Sequence, residues 1–168
     1  MIKYYETKTP DFRIRMAVKE DIPLILQFIR GLAEYEGLSD QVVATEEILN
    51  NNLFVKKQAE VIIGEYKGKS IGFALFFHNF STFLGKANLY LEDLFVTPSY
   101  RGLGAGKAML ACLAKIAVER DCGRLDWWCL DWNEPAIKFY KEMGAKPMVE
   151  WTVFRVDGDA LPALATRL

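Results

Sequence analysis

A glycine-rich segment over residues 101–107 has the composition of a loop that binds an anion. Its sequence, Arg-Gly-Leu-Gly-Ala-Gly-Lys, stands between a run typical of a strand and a run typical of a helix. Glycines let the backbone approach a ligand and turn its N–H groups inward, and the positive end of a following helix favours an anion. The segment therefore predicts a site for a phosphate or pyrophosphate.

Two common phosphate-binding motifs do not fit this spacing. A Walker A loop follows the pattern G-x-x-x-x-G-K-[ST], whereas three residues separate Gly102 from Gly106 and Ala108 follows Lys107. A dinucleotide fingerprint follows G-x-G-x-x-G, whereas this loop reads G-x-G-x-G. From the loop residues alone, a plain glycine-rich turn remains the alternative.

The first half of the chain predicts two helices and several strands. Apolar residues three and four apart from Ile22 to Ala33 predict an amphipathic helix that ends near Gly37, and Thr45 is the expected N-cap of a short helix. Strands are predicted at 12–17, 61–63, 70–77 and 87–96, with a hairpin turn at 66–69.

The second half predicts alternating helices and strands. One helix is expected from Ala105 to a stop near Gly123, and another from the N-cap Asn133 to Gly144. Strands are predicted at 124–130 and 149–156. The combined order predicts an α/β fold with a mixed sheet that holds the glycine loop between a strand and a helix.

Length and composition fit one folded domain over residues 1–168. With 51% hydrophobic and 13% aromatic residues, the chain can form a sizeable core. A net charge of −1 is not the basic footprint of a nucleic-acid-binding protein, and no apolar run approaches the roughly 20 residues that span a bilayer. We therefore expect no nucleic-acid partner and no membrane span.

Residues that ligate metals are few. Cys112, Cys122 and Cys129 form no C-x-x-C pair, and His78 is the single histidine. An odd number of cysteines without paired spacing predicts neither a disulfide framework nor a zinc site. Reduced thiols are typical of the cytoplasm, which is the expected location.

Two segments resemble the GCN5-related N-acetyltransferase (GNAT) superfamily. In the first, Leu-Glu-Asp-Leu-Phe-Val at 91–96 precedes Arg101, Gly104 and Gly106, which match the family pattern [QR]-x-x-G-x-[GA]. The second is Asn-Glu-Pro-Ala-Ile-Lys-Phe-Tyr, which begins at Asn133. The resemblance implies the GNAT fold, a mixed and mostly antiparallel sheet flanked by helices, with a splayed pair of central strands.

Within the superfamily, the chain looks closest to the spermidine/spermine N1-acetyltransferase and thialysine acetyltransferase group. Tyr-Leu-Glu-Asp at 90–93, Trp-Asn-Glu-Pro at 132–135 and Leu-Ala-Glu-Tyr-Glu at 32–36 carry this likeness. The resemblance implies a homodimer with the late strands near Trp151 to Val156 at its interface.

The same resemblance implies acetyl-CoA as cosubstrate and coenzyme A as product. The splayed strand would bind the pantetheine arm through its backbone, the loop amides would hold the pyrophosphate, and Asn133 could bond the arm as well as cap its helix. The residues implied for the cofactor are Leu94, Phe95, Val96, Arg101, Gly102, Leu103, Gly104, Ala105, Gly106, Lys107, Asn133, Glu134, Pro135, Ala136 and Tyr140.

For catalysis, the resemblance implies direct attack by an amine in a ternary complex. Tyr140 would donate a proton to the leaving thiolate, and Glu92 would accept one from the amine. A lysine-like amine has a pKa of about 10.4, so removing its proton at pH 7 costs roughly 4 to 5 kcal/mol. A carboxylate can bind the ammonium and take that proton. Strand alternation places Asp93 on the opposite face from Glu92.

The expected acceptor is a primary amine of a small molecule, such as a polyamine, a diamine or a thialysine-like compound. Residues 79–84 lack the acidic residue that polyamine-specific members of the group carry. A protein or peptide N-acetyltransferase and a non-catalytic acyl-CoA-binding domain remain alternative functions. The residues that could line the acceptor mouth are Tyr35, Glu36, Glu92, Asp126, Trp127 and Trp128; the tryptophans are equally good core residues.

Overall fold

Six strands form one sheet in the computed structural model, which describes residues 2–168. Their order in the sheet follows the chain, and every neighbouring pair is antiparallel except the last, which is parallel. This confirms the predicted mixed and mostly antiparallel sheet. The strands are β1 (Tyr4–Glu6), β2 (Phe12–Met16), β3 (Glu60–Tyr66), β4 (Lys69–Ser81), β5 (Lys86–Val96) and β6 (Leu125–Trp127).

Five α-helices accompany the sheet in this part of the chain. Gly37 ends the first in the left-handed conformation, with φ of 72°, as its position predicts. Thr45 caps the second by accepting a hydrogen bond from the Ile48 N–H (3.2 Å). A π-helical turn, Asn50–Val55, continues from the second helix and was not predicted. The helices are α1 (Ile22–Glu36), α2 (Glu46–Leu49), α3 (Ala105–Glu119), α4 (Glu134–Glu142) and α5 (Ala160–Ala165).

The chain divides into two compact units. The first ends at Trp128 and the second is Cys129–Leu168. The sheet and helices α1, α2 and α3 belong to the first unit, whereas α4 and α5 belong to the second.

Helix α1 covers one face of the sheet. Phe28 of α1 stacks on Phe73 of β4, with ring centroids 5.6 Å apart, and lies 6.2 Å from the ring of Phe95 of β5. Helix α3 covers the other face, where the Met109 sulfur lies 3.1 Å from the position that a Cβ would take at Gly64. The Phe12 ring lies closer still, at 2.7 Å, so a side chain at Gly64 would collide with the packing of Phe12 and Met109, which accounts for the glycine.

A buried ion-pair network fixes the start of α1. Arg15 of β2 donates through its two terminal nitrogens to the Asp21 carboxylate (2.6 and 2.8 Å) and through Nε to Glu65 of β3 (2.6 Å). Asp21 also accepts a hydrogen bond from the Val18 N–H (2.7 Å). Bidentate, charge-assisted pairs are geometrically specific, so α1 begins at a defined point beside β2 and β3.

The predictions for the two ends of the chain were less accurate. Strand β1 lies in a segment for which no strand was predicted. The strand predicted at 149–156 is wrong, because no strand forms there among the described residues and Trp151 and Phe154 are 76% and 90% exposed. An alternating pattern supplies an apolar face, but a strand also needs a neighbour that pairs with it. The strand predicted at 124–130 is shortened to β6, which is the outermost strand of the sheet.

Candidate active site

Beyond Leu91, strand β5 pairs with a neighbour on one side only, as far as the described residues show. Its parallel pairing with β6 covers Leu89 to Leu91, whereas its antiparallel pairing with β4 continues to Val96. This open side lies at the edge of the sheet, because β6 ends at Trp127. The predicted splay of two central strands stays a prediction.

The backbone of β5 presents hydrogen-bonding groups to this open side. The Thr97 N–H donates to the Ile71 carbonyl of β4 (2.8 Å), so the backbone groups of Thr97 point toward β4. Backbone groups of successive strand residues alternate in direction, and those of Val96 and Leu94 consequently point away from β4. These are the two residues that were predicted to bind the pantetheine arm. The side chain of Phe95, also predicted for the cofactor, is instead buried against α1.

The glycine loop lies between β5 and α3, as predicted. Gly102 and Gly104 have φ values of 87° and 80°, which residues with a Cβ rarely adopt. Gly106 differs, because it lies in the first turn of α3. No atom of the described protein outside its own turn lies within 4 Å of the Cβ that a side chain would place there. The protein itself therefore does not require glycine at 106, and the space over the helix end is open to a ligand.

The open edge and the loop together fit coenzyme A. The edge ends at Val96, and α3 begins at Ala105, only a short loop later. Amide groups of an extended arm can pair with a strand edge, and a pyrophosphate can bind the free N–H groups at a helix N-terminus. Residues Leu103 and Lys107 lie in this loop and first turn, where the sequence predicted cofactor contacts.

Arg101, at the start of the loop, contacts both the strand and α1. Its Nε donates to the Val96 carbonyl (3.2 Å). Its guanidinium carbon lies 4.6 Å from the centroid of the Tyr35 ring and 5.9 Å from that of Phe95. Tyr35, predicted for the acceptor, and Arg101, predicted for the cofactor, are thus in direct contact.

A β-bulge at Glu92 changes the direction of the residue that follows it. Leu91 pairs with Phe76, and Asp93 pairs with the next residue of β4, Leu75, so Glu92 is the extra residue in β5. Leu75 packs against the apolar cluster that α1 forms with the sheet, which includes Phe28 and Phe73. Directly paired residues share a face of the sheet, and Asp93 therefore lies on the α1 face.

Glu92 lies on this face as well. Tyr90 pairs with Phe77, which is on the same face of β4 as Leu75, and Glu92 follows Tyr90 by two residues. The prediction that Glu92 and Asp93 occupy opposite faces is therefore wrong. The bulge inserts one residue and so shifts the alternation by one position.

The charges of two neighbouring carboxyl groups, Glu92 and Glu36, act on Asp93. Burial raises the pKa of Asp93 to about 6, and the charges of Glu92 and Glu36 add to the effect. Burial also raises the pKa of Glu36, at the end of α1. A cation that bound between these groups would relieve their mutual repulsion, so the region is suited to an ammonium.

Aromatic rings adjoin these carboxyl groups. The Tyr90 ring lies 5.0 Å from that of Phe77 and 6.0 Å from that of Trp128, which it meets nearly at right angles (85°). Burial raises the pKa of the Tyr90 phenol to about 12, with smaller contributions from Glu92, Asp126 and Asp93. Sequence reasoning missed Tyr90 as a site residue, although its spacing of two from Glu92 on a strand was a usable signal.

The other residues predicted on β6 have structural contacts. Asp126 accepts a hydrogen bond from Arg124 Nε (2.9 Å), and Trp127 pairs with Leu91 at the last point of contact between β5 and β6. Trp128 is 60% exposed and follows directly. Of the three, Trp128 therefore has the largest surface to offer a ligand.

The remaining predicted residues lie in the second unit. Asn133 caps α4 by accepting a hydrogen bond from the Ala136 N–H (3.3 Å), and Pro135 occupies the first turn beside Glu134, as predicted. Tyr140 lies on the same helix, where its ring is 5.3 Å from that of Phe139. The N-cap function of Asn133 is therefore confirmed, while its predicted bond to pantetheine stays a prediction.

Residues 27–145 match the family described as acetyltransferase (GNAT) family. The chain belongs to the GNAT family. Bovine thialysine N-epsilon-acetyltransferase is 40% identical over 164 residues, an alignment that covers 90% of this GNAT chain and 96% of the bovine protein. The chain is therefore an N-acetyltransferase, and GNAT acetyltransferases use acetyl-CoA as their cosubstrate.

Two further proteins support the assignment to the GNAT family. L-ornithine N5-acetyltransferase of Arabidopsis thaliana is 32% identical, covering 90% of this chain and 87% of its own. The solved structure of an integron cassette protein from the mobile metagenome of V. cholerae superimposes with a TM-score of 0.77 at 32% identity, covering 92% and 98% of the two chains. The fold is thus shared along almost the whole length.

Two further features are absent from residues 2–168. No group of three or more His, Cys, Asp or Glu side chains is placed to hold a metal ion. No helix is both long and apolar enough to cross a bilayer.

Proposed function

We propose that this GNAT enzyme transfers the acetyl group of acetyl-CoA to a primary amine of a small molecule. The observation that carries the proposal is the open edge of β5 at Leu94 and Val96, which leads directly into the glycine loop at the start of α3. Main-chain groups at this edge and at the helix end match an amide-containing arm that ends in a pyrophosphate. When bound, acetyl-CoA supplies the activated acetyl thioester.

The acceptor proposed is a compact amine that arrives as an ammonium. Burial and the charges of Glu92 and Glu36 raise the pKa of Asp93 on the α1 face. The charges of Glu92 and Asp93 also act on Tyr90, whose ring lies 6.0 Å from that of Trp128. The relatives named above are acetyltransferases of thialysine and ornithine, both of which carry a primary amine on a flexible side chain. Carboxylates and aromatic ring faces are the groups that bind such cations.

Glu92 is proposed to act on the amine. As an exposed carboxylate on the bulge, it can attract the ammonium and then accept its proton, directly or through a water. The neutral nitrogen can then attack the acetyl carbonyl while main-chain N–H groups of β5 stabilise the developing oxyanion. Asp93 supports the first step, because its charge adds to the attraction.

Tyr140 is proposed to protonate the sulfur as the carbon–sulfur bond breaks. The amine nitrogen forms the new amide bond and loses its proton toward Glu92, and the thiolate takes one from the Tyr140 phenol. A phenol with an ordinary pKa near 10 can donate to a thiolate. Glu92 passes each proton that it accepts to solvent, and the Tyr140 phenol recovers its proton from solvent. Both catalytic groups therefore end the cycle as they began, with one proton released overall.

We propose that the two compact units work as one acetyltransferase domain over residues 1–168. Residues 27–145, which match the GNAT family, extend across the boundary at Trp128. The residues proposed for cofactor and catalysis also come from both units. A chain that ends at Trp128 would retain the open edge of β5 but lack Tyr140.

The chain is also proposed to form a homodimer through residues 149–156. This segment has an alternating apolar pattern without a strand partner among the described residues, and Trp151, Val153 and Phe154 are exposed. Pairing with the same segment of a second copy would supply a neighbour and remove these side chains from water.

Light scattering tests the homodimer. Wild type at micromolar concentration should have about twice the mass of one 19.2 kDa chain, and the double variant W151D/F154D should have the mass of one chain. Val118→Asp is the matched control, because Val118 is exposed on α3 outside the segment and its loss should leave the dimer intact. A wild-type mass of 19.2 kDa would contradict the proposal.

A panel of acceptors tests the proposed reaction. The full chain is mixed with acetyl-CoA and with thialysine, ornithine, lysine, a diamine, spermidine or a lysine-containing peptide, and release of the free thiol is followed. Mass spectrometry of each product should show a gain of one acetyl group on a small amine. Thiol release with the peptide but none of the small amines would make the chain a peptide acetyltransferase. Binding of acetyl-CoA without transfer to any amine would leave only a binding domain.

A further inference from the structure

Arg101 joins three parts of the first unit: the end of β5, the glycine loop and the C-terminal end of α1. Its Nε donates to the Val96 carbonyl (3.2 Å), and its guanidinium carbon lies 4.6 Å from the centroid of the Tyr35 ring. A guanidinium within about 6 Å of a ring centroid is attracted to the ring face. One side chain therefore connects the loop to both the strand and the helix.

The Arg101 side chain contacts groups of the protein itself. In this structure the guanidinium lies over Tyr35, a residue of the helix that also carries Glu36. The Arg101 side chain is thus arranged around protein groups on the acceptor side of the loop.

We propose that Arg101 is a positioning residue for acetyl-CoA, which clamps the glycine loop between the Val96 carbonyl and the Tyr35 ring before the cofactor binds. The proposal rests on the proposed function only for the identity of the ligand. Holding a loop in its binding geometry in advance reduces the ordering that binding must impose. Tyr35, on the acceptor side, thereby contributes to the affinity for the cofactor.

The clamp also defines where the arm can bind on β5. The Val96 carbonyl points to the open side and is already occupied by Arg101. The Val96 N–H and the backbone groups of Leu94 remain on the same side for the pantetheine amides. The arm is therefore expected to pair with these groups and to leave the Val96 carbonyl to Arg101.

A double-mutant cycle tests the clamp with coenzyme A as the probe. Calorimetry measures the CoA affinity of the full chain for wild type, Tyr35→Leu, Arg101→Met and the double variant. Loss of a cation–π contact is expected to weaken binding about two- to fivefold in Tyr35→Leu. Because methionine carries no charge, both changes break the same contact, and the double variant should bind no more weakly than Arg101→Met alone. Tyr35→Phe keeps the ring and should bind within about twofold of wild type.

Tyr4→Leu is the matched control for the loss of a stacked tyrosine. Tyr4 is 40% exposed and lies under Arg13 (4.4 Å), just as Tyr35 is 42% exposed and lies under Arg101, but Tyr4 is on the far edge strand. Its CoA affinity should equal that of wild type. In steady state at saturating amine, Tyr35→Leu should raise KM for acetyl-CoA, and the melting temperature should change as little as in Tyr4→Leu.

Two outcomes would overturn the clamp. Additive losses in the double variant would mean that Arg101 and Tyr35 act separately, and wild-type CoA affinity in Tyr35→Leu would mean that the ring contact does not position the loop. A wild-type chain that binds CoA but acetylates no amine would overturn the proposed function. The CoA affinities of the Tyr35 and Arg101 variants would still show whether the clamp exists.

Discussion

The two halves of the proposed site use different kinds of chemical group. The cofactor half is main chain: backbone groups of Leu94 and Val96 at an open strand edge and the N–H groups at the start of α3. The acceptor half is side chain: Glu36, Glu92 and Asp93 beside aromatic rings. The first depends on the path of the backbone, and the second depends on which residue points where.

This difference explains how one fold can serve several amines. A backbone surface is retained by any sequence that keeps the glycines and the open edge of β5, so the same cosubstrate can bind throughout a family. Side chains on the α1 face can change one at a time without altering that path. Relatives named for thialysine and for ornithine each align with 90% of this chain but are named for different acceptors. A common cofactor surface combined with variable acceptor side chains predicts this pattern.

The largest expected effect concerns a residue outside both halves. Tyr140→Phe removes only the phenolic hydroxyl, and kcat should fall by about 10²-fold or more if that group protonates the thiolate. The affinity for CoA should change little. Tyr66→Phe, on β3, makes the same chemical change and should keep wild-type turnover. Wild-type kcat in Tyr140→Phe would show that the thiolate leaves without this proton.

A graded series at Gly106 breaks the cofactor half without straining the backbone. Gly104 is unsuitable, because its φ of 80° makes any side chain costly. At Gly106 the backbone is helical and the surrounding protein leaves room for a Cβ. Gly106→Ala should be as stable as wild type or slightly more stable, while its CoA affinity falls. Gly106→Val should bind about tenfold more weakly, since each carbon beside the pyrophosphate excludes it further.

Calorimetry with CoA and thermal unfolding separate the two effects in this series. Affinity that stays at the wild-type value in a folded Gly106→Val would remove the start of α3 from the cofactor site. The open edge of β5 would then have to account for binding by itself.

The smallest expected effect is a pH-dependent change in melting temperature, which tests the carboxyl groups of the acceptor half. The pKa of Asp93 is raised to about 6 by burial and by the charges of Glu92 and Glu36. A carboxyl with a raised pKa in the folded state stabilises the fold below its unfolded pKa of about 4, and this contribution is lost as the pH rises through 6. Asp93→Asn should therefore melt at a higher temperature than wild type at pH 7.5. The difference should shrink as the pH is lowered to 5.

The control for this measurement is Asp40→Asn, which removes an exposed carboxyl from a surface turn. Its melting temperature should follow that of wild type at both pH values. A difference between Asp93→Asn and wild type that does not depend on pH would show that Asp93 is not buried near other charges.

The sequence predicted the cofactor half more fully than the acceptor half for a physical reason. Glycines at 102 and 104 signal left-handed backbone directly, and a strand before them and a helix after them are evident from periodicity. The bulge at Glu92 has only an ambiguous signal, because two consecutive polar residues, Glu92 and Asp93, interrupt the apolar run without showing which strand carries an extra residue. The face that Asp93 occupies therefore became known only from the pairing with β4.

The same limit applies to the end of the chain. Residues 149–156 have a strand-like pattern, yet a pattern cannot say whether a partner strand is available within the chain. Caps, by contrast, are local, and Gly37, Thr45 and Asn133 were predicted at the positions where the structure has them.

In the proposed N-acetyltransferase, a main-chain surface binds acetyl-CoA and a separate side-chain surface binds the amine. Steady-state kinetics of Glu92→Gln and Gly106→Ala, with each substrate varied in turn, test it most directly. Glu92→Gln should raise KM for the amine and lower kcat/KM most for amines of high pKa, with KM for acetyl-CoA unchanged. Gly106→Ala should raise KM for acetyl-CoA and leave that for the amine unchanged. If both variants shift both constants equally, or if Glu92→Gln affects amines of high and low pKa alike, the division into two surfaces is wrong.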